Sequence, residues 1–177
     1  MEAYRAIVTK RDTRQFAPGA IPEDVLQRIL QAGRMAGSAK NAQPVRLVVL
    51  ADPARKAEIA ACGQFAVHVP GCAVAVAIVL APEEGREEGF TIFRGPFDAG
   101  RTAQNMMVAA WAEGVSSCPA SMHDFECARK TLGLPEGYVV ANVIAFGYSA
   151  NAAPAPGGRP RLPLDDYVHW ERWESDK

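Results

Sequence analysis

The sequence has little that would mark a membrane, secreted or nucleic-acid-binding protein. No apolar run approaches the roughly 20 residues that a membrane span requires, since the longest candidate, residues 72–81, stops at Pro82. The N-terminus lacks the apolar stretch and cleavage site of a signal peptide, which predicts a cytoplasmic address. The 19 Lys and Arg nearly balance the 20 Asp and Glu, so we expect no broad nucleic-acid-binding face.

Recognisable metal, disulfide and nucleotide-binding motifs are also missing. The four cysteines, Cys62, Cys72, Cys118 and Cys127, include no C-x-x-C pair and lie in apolar or helical surroundings, which predicts reduced, buried thiols rather than a disulfide or redox pair. The three histidines are scattered along the chain, so we expect no metal site. No G-x-G-x-x-G motif follows a strand, and neither a P-loop nor a nucleophile elbow occurs.

The sequence does contain enough apolar residues, 49% of 177, for one core-forming domain over residues 1–177. Helical spacing of apolar residues and capping signals predict helices at the N-terminus and over 22–35, 53–62, 98–113 and 125–132. Runs of Val and Ile predict strands over 46–51, 72–80 and 138–148. The second of these alternates Val and Ile with Ala, which is typical of a strand buried on both faces at the centre of a sheet.

Two segments do not fit regular elements. Residues 82–97 are rich in Gly and Phe and are long for a plain connection, which is typical of a functional loop. Residues 149–161 are rich in Ala, Pro and Gly and predict extended chain. The aromatic residues that follow, Tyr167, Trp170 and Trp173, need a surface to dock on, either their own domain or a second subunit.

Polar residues form three groups, each in a loop at the end of a predicted element. Loops on a rigid scaffold concentrate ligand contacts, although for any one group alone we favour the interpretation that it is ordinary surface charge. The groups are Arg11, Asp12 and Arg14; Ser38, Lys40, Asn41 and Gln43; and Arg159 and Arg161.

Taken together, these groups resemble the FMN-dependent nitroreductase family. The strings that carry the resemblance occur in the family's order and cover essentially the whole chain: KRDTRQF (10–16), AGSAKNAQP (36–44), GY (147–148) and RPRLPLDDYVHW (159–170). The most specific part is the combination of Arg-x-x-Arg-x-Phe, Ser-x-x-Asn-x-Gln-Pro and the Arg-x-Arg tail. The resemblance implies an FMN cofactor, NADH or NADPH as electron donor, and a small electron-poor acceptor such as a nitroaromatic or a quinone.

The resemblance also assigns roles to residues. Arg11 with Arg159 or Arg161 would hold the FMN phosphate, which suits the planar fork of a guanidinium. Arg14 would lie at the N1 and O2 edge of the flavin ring, where a cation favours the reduced state. Further contacts would come from Asp12 beside these arginines and from Ser38, Ala39, Lys40 and Asn41, while Gln43 either joins them or braces the loop.

A third region of the family supplies a backbone amide to flavin N5, and the matching turn here is residues 114–119. The candidate donors are therefore Ala120 and Ser121, acting through backbone N–H groups, and Pro119, which has no N–H, would join the cofactor site as part of the same turn. A plain connection between a helix and a strand is the alternative. We expect no catalytic side chain, because the flavin would carry the chemistry. Phe90 and Phe93, in the 82–97 loop, would line an acceptor pocket as part of a lid, or else pack permanently in the core.

The chain departs from the family pattern at two positions. Val45 stands where Trp is common, and Asp12 stands where Ser is common. An acid at the second position is similar to the flavin-fragmenting branch of the superfamily, which remains an alternative function. A non-catalytic FMN-binding module is another alternative.

Two predictions of fold class compete. The alternation of helices and strands alone predicts a parallel α/β sheet. The resemblance instead implies an α+β nitroreductase-like fold, with a central mixed, mostly antiparallel sheet flanked by helices. It also implies a homodimer whose C-terminal arms, residues 149–177, are exchanged between subunits, with the FMN sites at the interface.

Overall fold

A computed structural model of the protein describes residues 1–82, 88–151 and 160–173, with side chains omitted for 88–93. The elements, numbered in chain order, are α1 (Ala3–Thr9), β1 (Phe16–Ala17), α2 (Glu23–Arg34), β2 (Val45–Leu50), α3 (Pro53–Ala60), β3 (Val74–Leu80), α4 (Glu88–Ala112), β4 (Ser116–Ala120), α5 (Phe125–Thr131), β5 (Val139–Ser149) and α6 (Leu164–Tyr167). A short 3-10 turn, Ala39–Asn41, precedes β2.

The strands form one sheet in the order β1-β5-β3-β2, and β4 pairs with β5 on the same side as β1. Every strand pair among the described residues is antiparallel. The α+β prediction is therefore confirmed, and the parallel sheet expected from alternation alone is wrong. The alternation of helices and strands gave the wrong prediction because the helices do not connect parallel neighbouring strands. For example, β3 and β5 are adjacent and antiparallel, although α4, β4 and α5 lie between them in sequence.

The sheet has a hydrophobic core on each face, as the composition of β3 predicted. Ala75, Ala77 and Val79 face a cluster completed by α3, α5 and the 61–73 connection. Val74, Val76 and Ile78 face a second cluster, in which Ile29 of α2 and Met106 of α4 are fully buried. Because both faces are covered, β3 is the central strand that its sequence predicts.

Helix α4 begins ten residues earlier than the sequence predicted, at Glu88 instead of residue 98, and contains Pro96 in its interior. The loop predicted over 82–97 is therefore wrong for residues 88–97. The helix is supported by close packing on the sheet: a Cβ added to Gly95 would lie 3.2 Å from Leu80 Cδ1. Proline and glycine signal a loop locally, but here Gly95 is buried against the sheet while Pro96 lies on the exposed side of the helix, so packing on one face supports the helix.

The prediction of four reduced cysteines is wrong for one pair, because Cys62 and Cys127 form a disulfide. Their Cα atoms are 5.6 Å apart although 65 positions separate them in sequence. The packing of α3 against α5 creates this proximity, which no C-x-x-C spacing would reveal. Cys72 and Cys118 are free and buried, as predicted.

Among the described helices, none combines the length and apolar character needed to cross a bilayer. The cytoplasmic address stays a prediction from the sequence.

Candidate functional site

The segment after α1 lies directly beside β4. Thr13 N–H donates to the Ser117 carbonyl over 3.0 Å, and Asp12 and Ser117 form an isolated parallel bridge. The first polar group, Arg11 to Arg14, is thus placed against the strand that carries Pro119 and Ala120. Two of the three regions expected to bind a flavin form one continuous edge of the molecule.

The sequence did not predict β4, because residues 114–119 match a turn of the family. Ser117 directs its carbonyl away from β5 and toward Thr13, and neighbouring residues of a strand alternate in the direction of their backbone groups. Pro119 therefore also turns its nitrogen away from β5, so no ladder hydrogen bond is lost there. A proline is compatible with this strand because of that register.

The same alternation separates the two candidate amides at the end of β4. Ala120 pairs with Val143, and its N–H is directed into the sheet toward β5. Ser121 follows the strand, is exposed, and has no backbone hydrogen-bond acceptor for its N–H in the described part of the chain. Of the two, Ser121 offers the amide that remains available to a ligand.

The arginines of this edge are also available to an anion. Both Arg11 and Arg14 are exposed. One guanidinium nitrogen of Arg11 donates to the carbonyls of Val8 and Lys10, at 3.0 and 2.8 Å, and so is held at the end of α1 with no carboxylate partner among the described residues. Asp12 forms an ion pair with Lys10, and the Asp12 side chain is 42% exposed. Within the described part of the chain, Arg11 and Arg14 are therefore two exposed cations that no carboxylate neutralises, and guanidinium groups suit a phosphate and an anionic ring edge.

His68 is a residue of this edge that the sequence analysis did not select. Its side chain is buried, with 5% exposure, and neither ring nitrogen makes a hydrogen bond of good geometry to the described residues. Burial lowers the pKa of His68, and the nearby Arg14 charge lowers it further. Burial likewise raises the pKa of the Cys118 thiol in β4, with a further contribution from Asp12. A lone histidine in an irregular segment carries no local signal that could have identified it.

The second polar group forms a tight loop with unusual backbone angles. Lys40, Asn41 and Gln43 have φ values of 54°, 55° and 48°, a region that residues other than glycine rarely adopt. Ser38 Oγ stabilises the loop by accepting a hydrogen bond from Gln43 N over 2.8 Å. Such conformations persist where the surrounding structure enforces them, and they concentrate at functional sites.

This loop borders a cavity. Ser38 and Gln43 line a cavity of about 400 Å³ between the end of α2, the start of β2 and α4. Arg94 of α4 donates to the Ala39 carbonyl over 3.4 Å. Lys40 and Asn41 are exposed. The loop therefore presents polar groups to the outside while Ser38 braces it from within.

Within one chain, the two polar groups lie far apart. Ser117, beside the first group, pairs with Phe146 on the row of Val74, whereas Val45, after the second group, pairs with Leu80 at the other end of β3. With standard strand geometry, Ser117 and Val45 are separated by about 20 Å along the strands and by about 14 Å across three strand spacings. The two polar groups therefore lie at opposite ends of the sheet within one chain.

The remaining predicted site residues are only partly described. Arg161 is exposed in the segment before α6. Arg159 lies outside the described residues, as do the side chains of Phe90 and Phe93, whose backbone belongs to α4. The aromatic side chains of Tyr167, Trp170 and Trp173 are 73%, 76% and 76% exposed, so they do not dock on the described part of their own chain.

Comparison with known proteins identifies the class. The Nitroreductase family model matches residues 7–62 and 64–148. The chain is 31% identical over 204 aligned residues to the NADH dehydrogenase of Thermus thermophilus, with 96% of each chain covered. The chain belongs to the nitroreductase family.

Solved structures agree on the fold. The chain is similar to NfrA2 of Bacillus megaterium with a TM-score of 0.90 at 22% identity, covering 99% of this chain and 77% of that one. It is also similar to the NADPH:FMN oxidoreductase of Vibrio harveyi, solved in complex with NAD⁺, with a TM-score of 0.85 at 24% identity, covering 97% of this chain and 78% of that one. The nitroreductase fold predicted from the sequence motifs is confirmed.

Proposed function

We propose that this protein is an FMN-dependent oxidoreductase. It takes reducing equivalents from NADH or NADPH and passes them, in a ping-pong cycle, to an electron-poor acceptor such as a nitroaromatic or a quinone. The observation that carries this proposal is the edge formed by the 11–14 segment and β4: Arg11 and Arg14 are exposed with no carboxylate partner among the described residues, and the Ser121 N–H at the end of β4 has no acceptor there. Membership of the nitroreductase family supports it.

The residues of this edge would bind and orient the cofactor. Arg11 would hold the phosphate by charge-assisted hydrogen bonds, together with Arg159 or Arg161. Arg14 would supply a positive charge at the N1 and O2 edge of the ring, and Ser121 would donate its backbone N–H to N5. FMN, when bound, supplies the two-electron redox chemistry, so no side chain here needs to transfer a proton as a catalytic acid or base.

We further propose that each FMN site is shared by two subunits. Within one chain, the Ser38–Gln43 loop and the Arg11–Arg14 edge lie at opposite ends of the sheet, separated both along and across its strands. A homodimer that apposes the edge of one subunit and the loop of the other would unite them. The exposed aromatic side chains of the C-terminal arm support this arrangement, because a partner subunit would cover them.

The ion pair between Lys10 and Asp12 favours the oxidoreductase over the flavin-fragmenting alternative. It gives the acid at position 12 a local electrostatic partner. Asp12 thus fits the site without a specialised reaction, and we do not propose flavin fragmentation.

The test is anaerobic mixing of the FMN-loaded protein with NADH and with NADPH while the absorption band of oxidised flavin is recorded. We expect bleaching with at least one donor, followed by recovery of the band when a quinone is added. Free FMN at the same concentration is the control for non-enzymatic reduction. Binding of FMN without bleaching by either donor would support the non-catalytic binding module instead, and failure to take up FMN would contradict both.

A further inference from the structure

Hydrogen bonds and one disulfide hold the segment after β4 against the residues that follow α3. The Cys62 carbonyl accepts hydrogen bonds from the backbone N–H groups of His123 and Asp124, both at 3.1 Å. Asp124 in turn caps α5, its carboxylate accepting from Cys127 N over 2.8 Å. The Cys62–Cys127 bond closes this ring covalently. We call residues 62–65 and 121–127 together the disulfide clamp.

Other contacts of the clamp hold the same two segments together. Gln64 N–H donates to His123 Nδ1 over 3.2 Å, and the rings of Phe65 and His123 meet edge to face at 5.5 Å. The backbones also approach closely, because a Cβ added to Gly63 would lie 2.9 Å from the Ser121 carbonyl oxygen. The position of Ser121 therefore depends on the clamp.

We propose that the Cys62–Cys127 bond is a redox-controlled switch for cofactor binding. Oxidation holds Ser121 where its amide can meet the flavin, and reduction loosens the 121–124 connection and weakens FMN binding. The proposal rests on the proposed function, because it assumes that Ser121 contacts FMN. Its structural part, the loosening of the clamp, does not depend on a flavin.

The reaction is thiol–disulfide exchange with a dithiol as the reductant. A thiolate of the dithiol attacks Cys127, which is partly exposed, rather than Cys62, which is 3% exposed. The Cys62 sulfur leaves as a thiolate and takes a proton, and the second thiolate of the dithiol then displaces Cys127 from the mixed disulfide. The dithiol loses two electrons and becomes a disulfide, while the protein gains two thiols.

The oxidation state of the Cys62–Cys127 bond would depend on the redox conditions of the cellular compartment. Cellular thiol systems keep most cytosolic cysteines reduced, so in the cytoplasm predicted for this chain the bond would form only when a disulfide oxidant is in excess. The exchange then runs in reverse, and the oxidant is reduced to two thiols. The other two cysteines, Cys72 and Cys118, are buried and separate from the clamp, so the response is confined to one pair.

Hydrogen–deuterium exchange on the oxidised and dithiol-reduced protein tests the clamp without any flavin. The dithiol is removed by gel filtration under nitrogen before labelling. We expect faster exchange after reduction in peptides covering residues 119–127 and 61–66, and unchanged exchange in β3, which lies at the sheet centre. Equal exchange in both redox states would overturn the proposal. So would titration of four thiols, rather than two, in protein that is incubated with a disulfide oxidant and then denatured without reductant.

FMN titration by fluorescence quenching tests the consequence for binding. We expect reduction to weaken FMN by at least about fivefold, the lower end of typical coupling between two linked sites, and reoxidation to restore it. The Cys72→Ala variant is the matched control, because it loses a buried thiol but keeps the clamp and should show the same redox response. Equal affinities in the two redox states would overturn the switch, whereas absence of FMN binding in both would overturn the proposed function and leave the exchange experiment to decide on the clamp.

Discussion

At the scale of single residues, the structure distinguishes positions that the motifs alone treat alike. Ala120 and Ser121 are adjacent and equally plausible as amide donors from sequence, yet the strand register directs the first into the sheet and leaves the second available. Ser38 and Lys40 share one motif, but Ser38 braces the loop through Gln43 while Lys40 is exposed. Backbone direction and burial decide these roles.

Replacing Arg11 or Arg161 with Ala should weaken FMN binding. Each change would remove a charge-assisted contact to the phosphate worth about 1.5 to 3 kcal/mol, which corresponds to roughly 10- to 150-fold in affinity. FMN titration by fluorescence quenching measures the effect, with circular dichroism to verify the fold, because Arg11 also contacts the end of α1. Arg5→Ala, an exposed change in α1 outside the motif, is the control. Equal affinities in all three variants would mean that the phosphate is bound elsewhere.

His68 should make stability depend on pH near neutrality. Burial lowers its pKa from the ordinary value of 6.5, so below that value the unfolded chain binds a proton that the folded protein resists. The unfolding free energy should therefore fall as the pH is lowered from 7 to 5, by at most about 1.4 kcal/mol per pH unit from this group. Urea unfolding of the wild type and of His68→Gln at pH 7, 6 and 5 measures the difference. Identical pH slopes would contradict a buried, neutral His68.

At the scale of elements, close packing of α2 on α4 completes one of the two cores. Gly33 of α2 faces Met106 of α4, and a Cβ at Gly33 would lie only 2.6 Å from Met106 Cγ. Helix α4 is also the element whose length the sequence understated, since local signals at Gly95 and Pro96 indicate a loop. The contacts of α4 with α2 and with the sheet thus determine the helix where local propensity does not.

Gly33→Ala should destabilise the protein although alanine favours helices. Overpacking against Met106 costs about 1 to 3 kcal/mol, which exceeds the helix propensity gain of roughly 1 kcal/mol at most. Gly100→Ala in α4 is the matched control, because Gly100 is exposed and nothing lies within 4 Å of its added Cβ, so that variant should be equally or more stable. Thermal unfolding of both variants measures the effect. If Gly33→Ala were as stable as Gly100→Ala, the two helices would not be in such close contact.

At the scale of the whole molecule, the groups of the proposed cofactor site are divided between distant parts of the chain. The Arg11–Arg14 edge and the Ser38–Gln43 loop lie at different ends of the sheet, and the C-terminal arm leaves its aromatic side chains uncovered by the described residues. A homodimer would resolve both features at once. If it does, cofactor retention will depend on protein concentration, because dissociation of the subunits separates the two halves of each site.

Deleting residues 162–177 should weaken the proposed dimer. The deletion removes Tyr167, Trp170 and Trp173 and would expose the apolar surface of the partner that they cover. Size-exclusion chromatography with light scattering over a dilution series measures the change. A truncated protein that remains a stable, soluble dimer at all concentrations would refute the exchange of arms.

The sequence by itself determined the elements with strong local signals. The acidic first turn and apolar stripe of α2, the Val and Ile runs of β3 and β5, and the Asp124 cap of α5 all predicted elements that the structure contains. The loop motifs were sufficient to identify the family. These features depend on residues within a few positions of one another, so a linear pattern carries them.

Only the tertiary structure decided which strands are neighbours, that Ser116–Ala120 is a strand, and that Cys62 and Cys127 are joined. It also placed Arg14 and buried His68 beside β4 and separated the Ser38–Gln43 loop from that edge. Each of these features depends on hydrogen bonds or packing between residues distant in sequence. β4, for example, exists because its backbone pairs with β5 on one side and with Thr13 on the other, and its own residues carry no signal of either partner.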